Sequence, residues 1–478
     1  MLTRIEVQGF KNLQDVTLEF GSFTCIAGPN GIGKSNIFDA IMFLAHAARR
    51  PLHEACQLIR GSAETRSADP RELFWNGFSA TQREMNFAVE MIVPGVVEDD
   101  LGAITEVKTT FLRYELGLGY EEPHGPAGVG RLILRHEQLS HINKGEAKKH
   151  LRFPHSAKEF RDSVVTNERR AGLFLSTAEK DGVTVINMHG DGGSSGKPSP
   201  RAAQKTGRTI LSTVNVKDYP TILAARREME SWQQLALEPS SLRKPNSFND
   251  SKHLASDGNY LAATLYRIAA DAESIIGGRS ADDLYAQVAT RLSELIGIDV
   301  DRIEVELDPV REVFTLFMTE RGGLRLPARA LSEGTLRFLA LCVLLEDPSF
   351  TGVVCLEEPE NGIHPANLPS IVELVRDIAV DVSEAPGDGN PFRQVIINTH
   401  SPGVIQLCAP EDLIMADVRR TRSDEGTPVR ALRCLPYKGS WRSEINEPSF
   451  EKGDLIPYLT TPHGAQLSLP DDLFAGLK

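Results

Sequence analysis

Phe23-Thr-Cys-Ile-Ala-Gly-Pro-Asn-Gly-Ile-Gly-Lys-Ser35 decides how the rest of the chain is read. Five residues that read as a buried strand run into a glycine-rich turn. Ser35 to Ala48 follows with helical spacing at Ile37, Ile41, Leu44 and Ala48. The turn fits G-x-x-x-x-G-K-[ST] in the strand–turn–helix setting that gives the pattern its meaning. Glycines let backbone N–H groups close around phosphate oxygens, and the helix N-terminus adds a favourable dipole. Gly28, Pro29, Asn30, Gly31, Ile32, Gly33, Lys34, Ser35 and Asn36 are therefore the candidate phosphate cradle. Lys34 is expected to reach the β- and γ-phosphates and Ser35 to hold Mg²⁺.

Working outward, three more stretches carry polar groups at places where apolar elements end. Val353-Val-Cys-Leu-Glu-Glu358 is an apolar strand closing on two carboxylates, and the C-terminal edge of an α/β sheet is where ligands bind. On that reading Glu357 organises the metal and its waters while Glu358 polarises an attacking water. A solvated strand end is the alternative, and the phosphate loop weighs against it. Gln394-Val-Ile-Ile-Asn-Thr-His400-Ser-Pro places a histidine at the end of another buried strand, at the same expected edge. Leu331-Ser-Glu-Gly-Thr-Leu-Arg337 precedes an apolar helix over Phe338 to Leu345, and Ser332, Glu333 and Gly334 form a helix start able to meet an anion. Taken alone, this last stretch reads better as an ordinary N-cap.

The flanks set the architecture. Thr3 to Gln8 and Val16 to Phe20 alternate as strands around a turn at Lys11-Asn12, and further strands are expected over 85–93, 105–118 and 131–139. These suggest a twisted antiparallel sheet attached to the nucleotide core. The Gly/Ser/Pro segment over 191–200 reads as a loop, and helices are expected at about 220–237, 258–277 and 281–297. Alternating strands resume over 303–318. No heptad seam is sustained, which excludes a long coiled-coil arm. With 478 residues, 41% of them hydrophobic, the chain suffices for one large or two ordinary domains. A formal net charge of −13 excludes a surface that grips nucleic acid everywhere, leaving only a local patch. Lys144, Lys148, Lys149, Arg152 and Lys158 are the one basic cluster, and a solvated helix face is its plainer reading. The six scattered cysteines lack metal-ligand spacing, and no apolar run or signal peptide suggests a membrane. A cytoplasmic protein with reduced thiols is expected.

The motifs in this order resemble the ATP-binding-cassette ATPases of the RecF, SMC and overcoming-lysogenization-defect class, and most the RecF-like ATPases of bacteria. Phe10-Lys-Asn-Leu, Asp257-Gly-Asn-Tyr-Leu-Ala, Leu331 to Arg337, Glu357-Glu-Pro-Glu-Asn-Gly-Ile-His-Pro365 and Asn398-Thr-His-Ser-Pro402 carry the resemblance, which spans the chain to about residue 435. It implies an α/β P-loop fold of the ABC head type, with a mixed core sheet, an antiparallel β subdomain and a helical insertion. The implied organisation is residues 1–140 as the first half of the head and 141–300 as a mainly helical insertion. Residues 301–435 would form the second half, and 436–478 a tail. Gly28 to Ser35 would be the Walker A loop, and Glu357 with Glu358 the Walker B pair. Leu331 to Arg337 would be the signature, Glu360 to His364 the D-loop and His400 the switch histidine. Lys11 and Asn12 match the nucleotide-edge segment weakly, and Gln138 is only a candidate for the Q-loop.

In such ATPases the signature of one subunit completes the ATP site of another, so a head-to-tail dimer or higher oligomer holding ATP and Mg²⁺ is implied. Residues 403–478 lack the acidic pattern of a Toprim nuclease, so any nuclease is expected as a separately encoded effector. The leading expectation is the sensor or regulatory ATPase of an anti-phage defence system. The alternative is a RecF-like repair or recombination ATPase that binds DNA. A scaffold that binds ATP without turning it over is disfavoured by Glu358 and His400. A transporter subunit is disfavoured by the long interval between phosphate loop and signature.

Overall fold

Strands that are apolar on both faces need cover on both sides, and the central sheet is built from such strands. The computed structural model describes residues 1–454, apart from 60–68, 76–82, 123–129, 168–171, 192–198, 203–205, 216–217, 275–278, 423–425, 427, 445–447 and 452. The central sheet has six strands in the order Gln233–Leu235, Gly352–Glu357, Arg393–Thr399, Phe23–Ala27, Leu413–Arg422 and Pro428–Pro436. Its first five strands run parallel and the last returns antiparallel. Ile26, Val353, Cys355, Ile396 and Ile414 pack into one core, while Cys25, Val354, Leu356, Val395 and Ile397 pack into a second on the opposite face.

The first core is closed by the Ser35–Arg49 helix, and an eight-stranded antiparallel sheet lies beyond it. Phe43 of that helix meets Phe10 and Phe87 of the sheet, with ring centroids 6.0 and 5.4 Å away. Each such ring contributes about 1.5–3 kcal/mol by burial, so the helix is held from both sides. The second core is closed by four helices, Leu261–Ser274, Ala281–Ile296, Glu333–Glu346 and Leu368–Ile378. A smaller sheet, with the hairpin Val300–Asp308 and Val313–Glu320 at its centre, packs against them.

The expected strand pair at the N-terminus forms over Leu2–Phe10 and Leu13–Glu19, and the next three become Glu84–Ile92, Phe111–Glu121 and Arg131–His141. The 141–300 segment, expected as mainly helical, also carries strands. Leu173–Lys180, Val183–Met188 and Ser199–Ala202 extend the antiparallel sheet by three strands. The first pairs with Arg131–His141 and the other two follow in turn, with Phe174, Leu175, Ile186 and Met188 buried in the first core. The helix expected at 220–237 ends at Glu230, and Gln233–Leu235 turns back to join the central sheet. The helices expected at 258–277 and 281–297 form over Leu261–Ser274 and Ala281–Ile296, the second opened by a Ser280–Asp283 capping box. Most of the expected Gly/Ser/Pro loop lies outside the described residues, as does the tail from residue 455. Among the described residues no helix is long and apolar enough to cross a membrane. All six cysteines are free thiols.

Candidate functional site

Register brings the three chemically loaded strand ends to one line. Thr399 pairs with Ala27, Asn398 with Ile26, and Glu357 with Asn398. The phosphate loop follows Ala27 directly, the second carboxylate follows Glu357, and His400 follows Thr399. Sequence positions hundreds of residues apart therefore share one C-terminal sheet edge, as parallel pairing requires.

The loop is braced from outside. Gly33 has φ +96, and a Cβ there would stand 2.2 Å from Asn12 Nδ2, so both conformation and space demand glycine. Asn12 Nδ2 donates to the Ile32 carbonyl at 2.8 Å, and its Oδ1 accepts from Asn36 Nδ2 at 2.6 Å. Lys11, in the same turn, pairs with Asp39 of the helix at 2.9 Å. The weakly matching Lys11-Asn12 turn thus positions the loop. Asn12 faces the cavity, whereas Lys11 is turned to the helix.

Within the loop, Lys34 Nζ donates to the carbonyls of Gly28 and Pro29 at 2.7 and 2.9 Å. Burial pulls its pKa down, opposed by the charges of Glu358, Glu360 and Glu357. A cavity of about 430 Å³ opens here. Asn30, Gly31, Gly33, Lys34, Ser35 and Asn36 line it from the loop and helix start, together with Asn12, which is bonded to them, and Glu357, Glu358 and Asn398 line it from the strand ends. Gly28, Pro29 and Ile32 serve behind this lining: two carbonyls hold Lys34 and the third holds Asn12. A slightly larger hollow, about 490 Å³, lies between the Ala281–Ile296 and Leu368–Ile378 helices and shares none of these residues.

Glu358 turns out of its strand with φ +43, an uncommon conformation for a side-chain-bearing residue. Its N–H is met by both the carbonyl and Oδ1 of Asn398, each at 3.1 Å. One carboxylate oxygen lies 2.6 Å from His400 Nδ1, and the other accepts from Asn361 Nδ2 at 2.7 Å. His400 itself does not line the cavity and reaches it through Glu358. Two residues further on, Glu360 is buried and accepts from the Thr399 hydroxyl.

Ser332, Glu333 and Gly334 lie elsewhere. Ser332 caps the Glu333–Glu346 helix, its hydroxyl accepting from Thr335 N at 3.1 Å. Gly334 packs so closely on the Glu360–His364 turn that an added Cβ would stand 3.3 Å from the Gly362 carbonyl. None of the three lines the cavity. Neither does Gln138, which sits in the antiparallel sheet opposite Glu115. The basic cluster disperses into local contacts: Lys144 with Asp162, Lys149 with Glu146, Lys158 with Glu159, and Arg152 with the Lys149 carbonyl.

Sequence reasoning gave no individual role to Asn398, quoted within the Asn398-Thr-His-Ser-Pro402 stretch, or to Glu360 and Asn361, taken together with the rest of the implied D-loop. The available signal was a polar Asn398-Thr399 pair closing an apolar strand, and a second acid two places beyond the carboxylate pair.

Comparison with known proteins adds the lineage. Residues 155–406 match the family described as AAA domain, proposed AbiEii toxin, Type IV TA system. Residues 1–76 match the RecF/RecN/SMC N terminal domain. The DNA replication and repair protein RecF of Phocaeicola vulgatus is 34% identical over 84 residues, 16% of this chain and 23% of that protein. The chromosome partition protein Smc of Methanocaldococcus jannaschii is 50% identical over 44 residues, 9% of this chain and 4% of that one. The chain thus spans less than a quarter of these relatives' length. Among solved structures, an SmcHead bound to the C-winged helix domain of ScpA aligns with 13% identity and a TM-score of 0.47, covering 90% of this chain and 97% of that one. The SMC head domain from Thermotoga maritima aligns with 12% identity and a TM-score of 0.36, covering 91% and 99%. With more than half its length matched by the AAA-domain model, and with this P-loop sheet edge, the chain belongs to that family and is a RecF/SMC-like ATPase of the ABC type.

Proposed function

We propose that the chain binds and hydrolyses ATP at the sheet-edge cavity, as a head-to-tail dimer in which each subunit completes the other's site. The observation that carries this reading is the convergence of Lys34, Ser35, Glu357 and Glu358 on one cavity, with the Ser332–Gly334 helix start outside it. The loop N–H groups and Lys34 take the β- and γ-phosphates, with Lys34 leaving its two carbonyl partners to do so. Ser35 and Glu357 offer the hard oxygen donors that Mg²⁺ accepts when phosphates and waters complete its shell. The ion would neutralise charge developing on the phosphates. Glu358 orients and polarises the attacking water, and His400, through its Nδ1 contact, holds the Glu358 carboxylate in place.

The γ-phosphate side of the cavity lacks the anion-binding helix start that the signature supplies. A second copy, turned head to tail, would bring its own Ser332–Gly334 there, a dipole contribution of about 0.3–2 kcal/mol per site. Mixing two inactive variants tests this. Lys34→Ala and Ser332→Arg should each be inactive alone, and a mixed dimer contains one site with both parts intact. Turnover should return on mixing; if mixed dimers form and each still binds ATP without any turnover, the shared site is wrong.

For the cellular task, we favour a regulatory ATPase of an anti-phage defence system working with a separately encoded effector such as a nuclease. The family's description as a toxin of a Type IV TA system is in keeping with that role. The similarity of the N-terminal residues to RecF supports a second reading, an ATPase acting on DNA in repair. ATPase assays with and without duplex DNA separate the two: strong stimulation by DNA alone favours repair.

A further inference from the structure

Glu360 is an expensive residue to have where it stands. It is buried, and its Oε2 has no hydrogen-bond partner among the described residues. Burial raises its pKa above the usual carboxylate range, with Glu358 adding to the rise, while the Thr399 hydroxyl, a local backbone N–H and the nearby His400 pull it back. Its Oε1 accepts from Thr399 Oγ1, and that same Oγ1 accepts from Ser401 N at 2.9 Å. The hydroxyl proton is thereby committed to Glu360, which leaves the oxygen's lone pairs to the Ser401 N–H. Between those two anchors stands His400, whose Nδ1 contacts Glu358. Glu360 therefore reaches the histidine turn from the carboxylate loop, parallel to the Glu358–Asn398 rung that joins the same two segments.

We propose that Glu360 is a positioning residue: through Thr399 it locks the Thr399–Ser401 turn, and so sets the angle at which His400 meets Glu358. This rests on the hydrolytic reading above. It differs from a plain stability role, because the clamp acts on the alignment of two groups already present at the cavity rather than on the packing of the sheet. A misaligned partner costs rate without costing nucleotide affinity, since neither Glu360 nor Thr399 lines the cavity.

The experiment uses the full chain with Glu360→Ala, Glu360→Gln, Thr399→Val and the Glu360→Ala/Thr399→Val double variant. Steady-state turnover, ATP affinity and amide hydrogen exchange at 399–401 are measured on each. Glu360→Ala should lower kcat about 10- to 100-fold with KM unchanged, the scale of a catalytic group slightly misplaced. Exchange at Ser401 should rise in step. Thr399→Val should match it, and the double variant should be no worse than either single, because both cut one linkage. Glu360→Gln keeps the acceptor oxygen and should recover most of the protection and of the rate. Additive losses, a fall in ATP affinity, or exchange rising across the whole sheet would overturn the clamp. If the unaltered protein shows no turnover, the hydrolytic reading fails instead. Exchange at Ser401 then decides the clamp alone: unchanged protection in Glu360→Ala overturns it.

Discussion

Two helices of this protein begin beside glycines, yet they present different chemistry. At the Ser35–Arg49 helix the N-cap is Lys34, which makes no side-chain cap, and its long arm lies in the cavity among carboxylates. At the Glu333–Glu346 helix the N-cap is Ser332, which satisfies Thr335 N, and the first turn is packed against Gly362. The first start depends on its surroundings to become an anion site; the second is already stable as a helix end. A helix terminus is thus a generic anion attractor, and what faces it decides whether it becomes a nucleotide site.

The most severe way to break the first region is to remove its chemistry without its shape. Glu358→Gln should leave ATP bound while turnover falls about 10²–10⁴-fold, measured by phosphate release beside equilibrium binding. If Glu357→Gln alone has that effect while Mg²⁺-dependent binding is spared, the two carboxylates exchange roles. Lys34→Ala should weaken ATP binding about 10- to 150-fold, the value of a hydrogen bond from a charged donor, in a titration calorimeter. Undiminished affinity would remove Lys34 from the phosphates.

Smaller changes sharpen the contrast. Gly33→Ala forces a side chain into φ +96 and against Asn12, costing roughly 1–3 kcal/mol in denaturant unfolding from the backbone alone. Adding Asn12→Gly should relieve the clash and leave that backbone cost. The mildest change falls on the second region. Ser332→Ala should cost about 0.5–2 kcal/mol of stability and Ser332→Gly only a few tenths, because glycine tolerates the cap position. Equal losses for both would mean that Ser332 does more than cap its helix in the single chain.

Much of this site was legible because covalent neighbours carry it. The glycine spacing of Gly28 to Ser35, the acids closing Val353 to Glu358 and the histidine closing Gln394 to His400 are local patterns, and each marks an apolar strand meeting a polar turn. The sequence by itself determined that these turns exist and what chemistry each holds. Only the tertiary structure decided that they meet: parallel register aligns Ala27, Glu357 and Thr399, which no local pattern specifies. It also decided that Asn12 braces Gly33, that Glu360 reaches Thr399 and that Leu173–Lys180, Val183–Met188 and Ser199–Ala202 join the antiparallel sheet. The seat of Ser332 outside the cavity was settled the same way. The physical reason is range. Helix caps and glycine turns are stabilised within a few residues of themselves, whereas strand order and side-chain bridges draw their energy from partners the chain reaches only after it has folded.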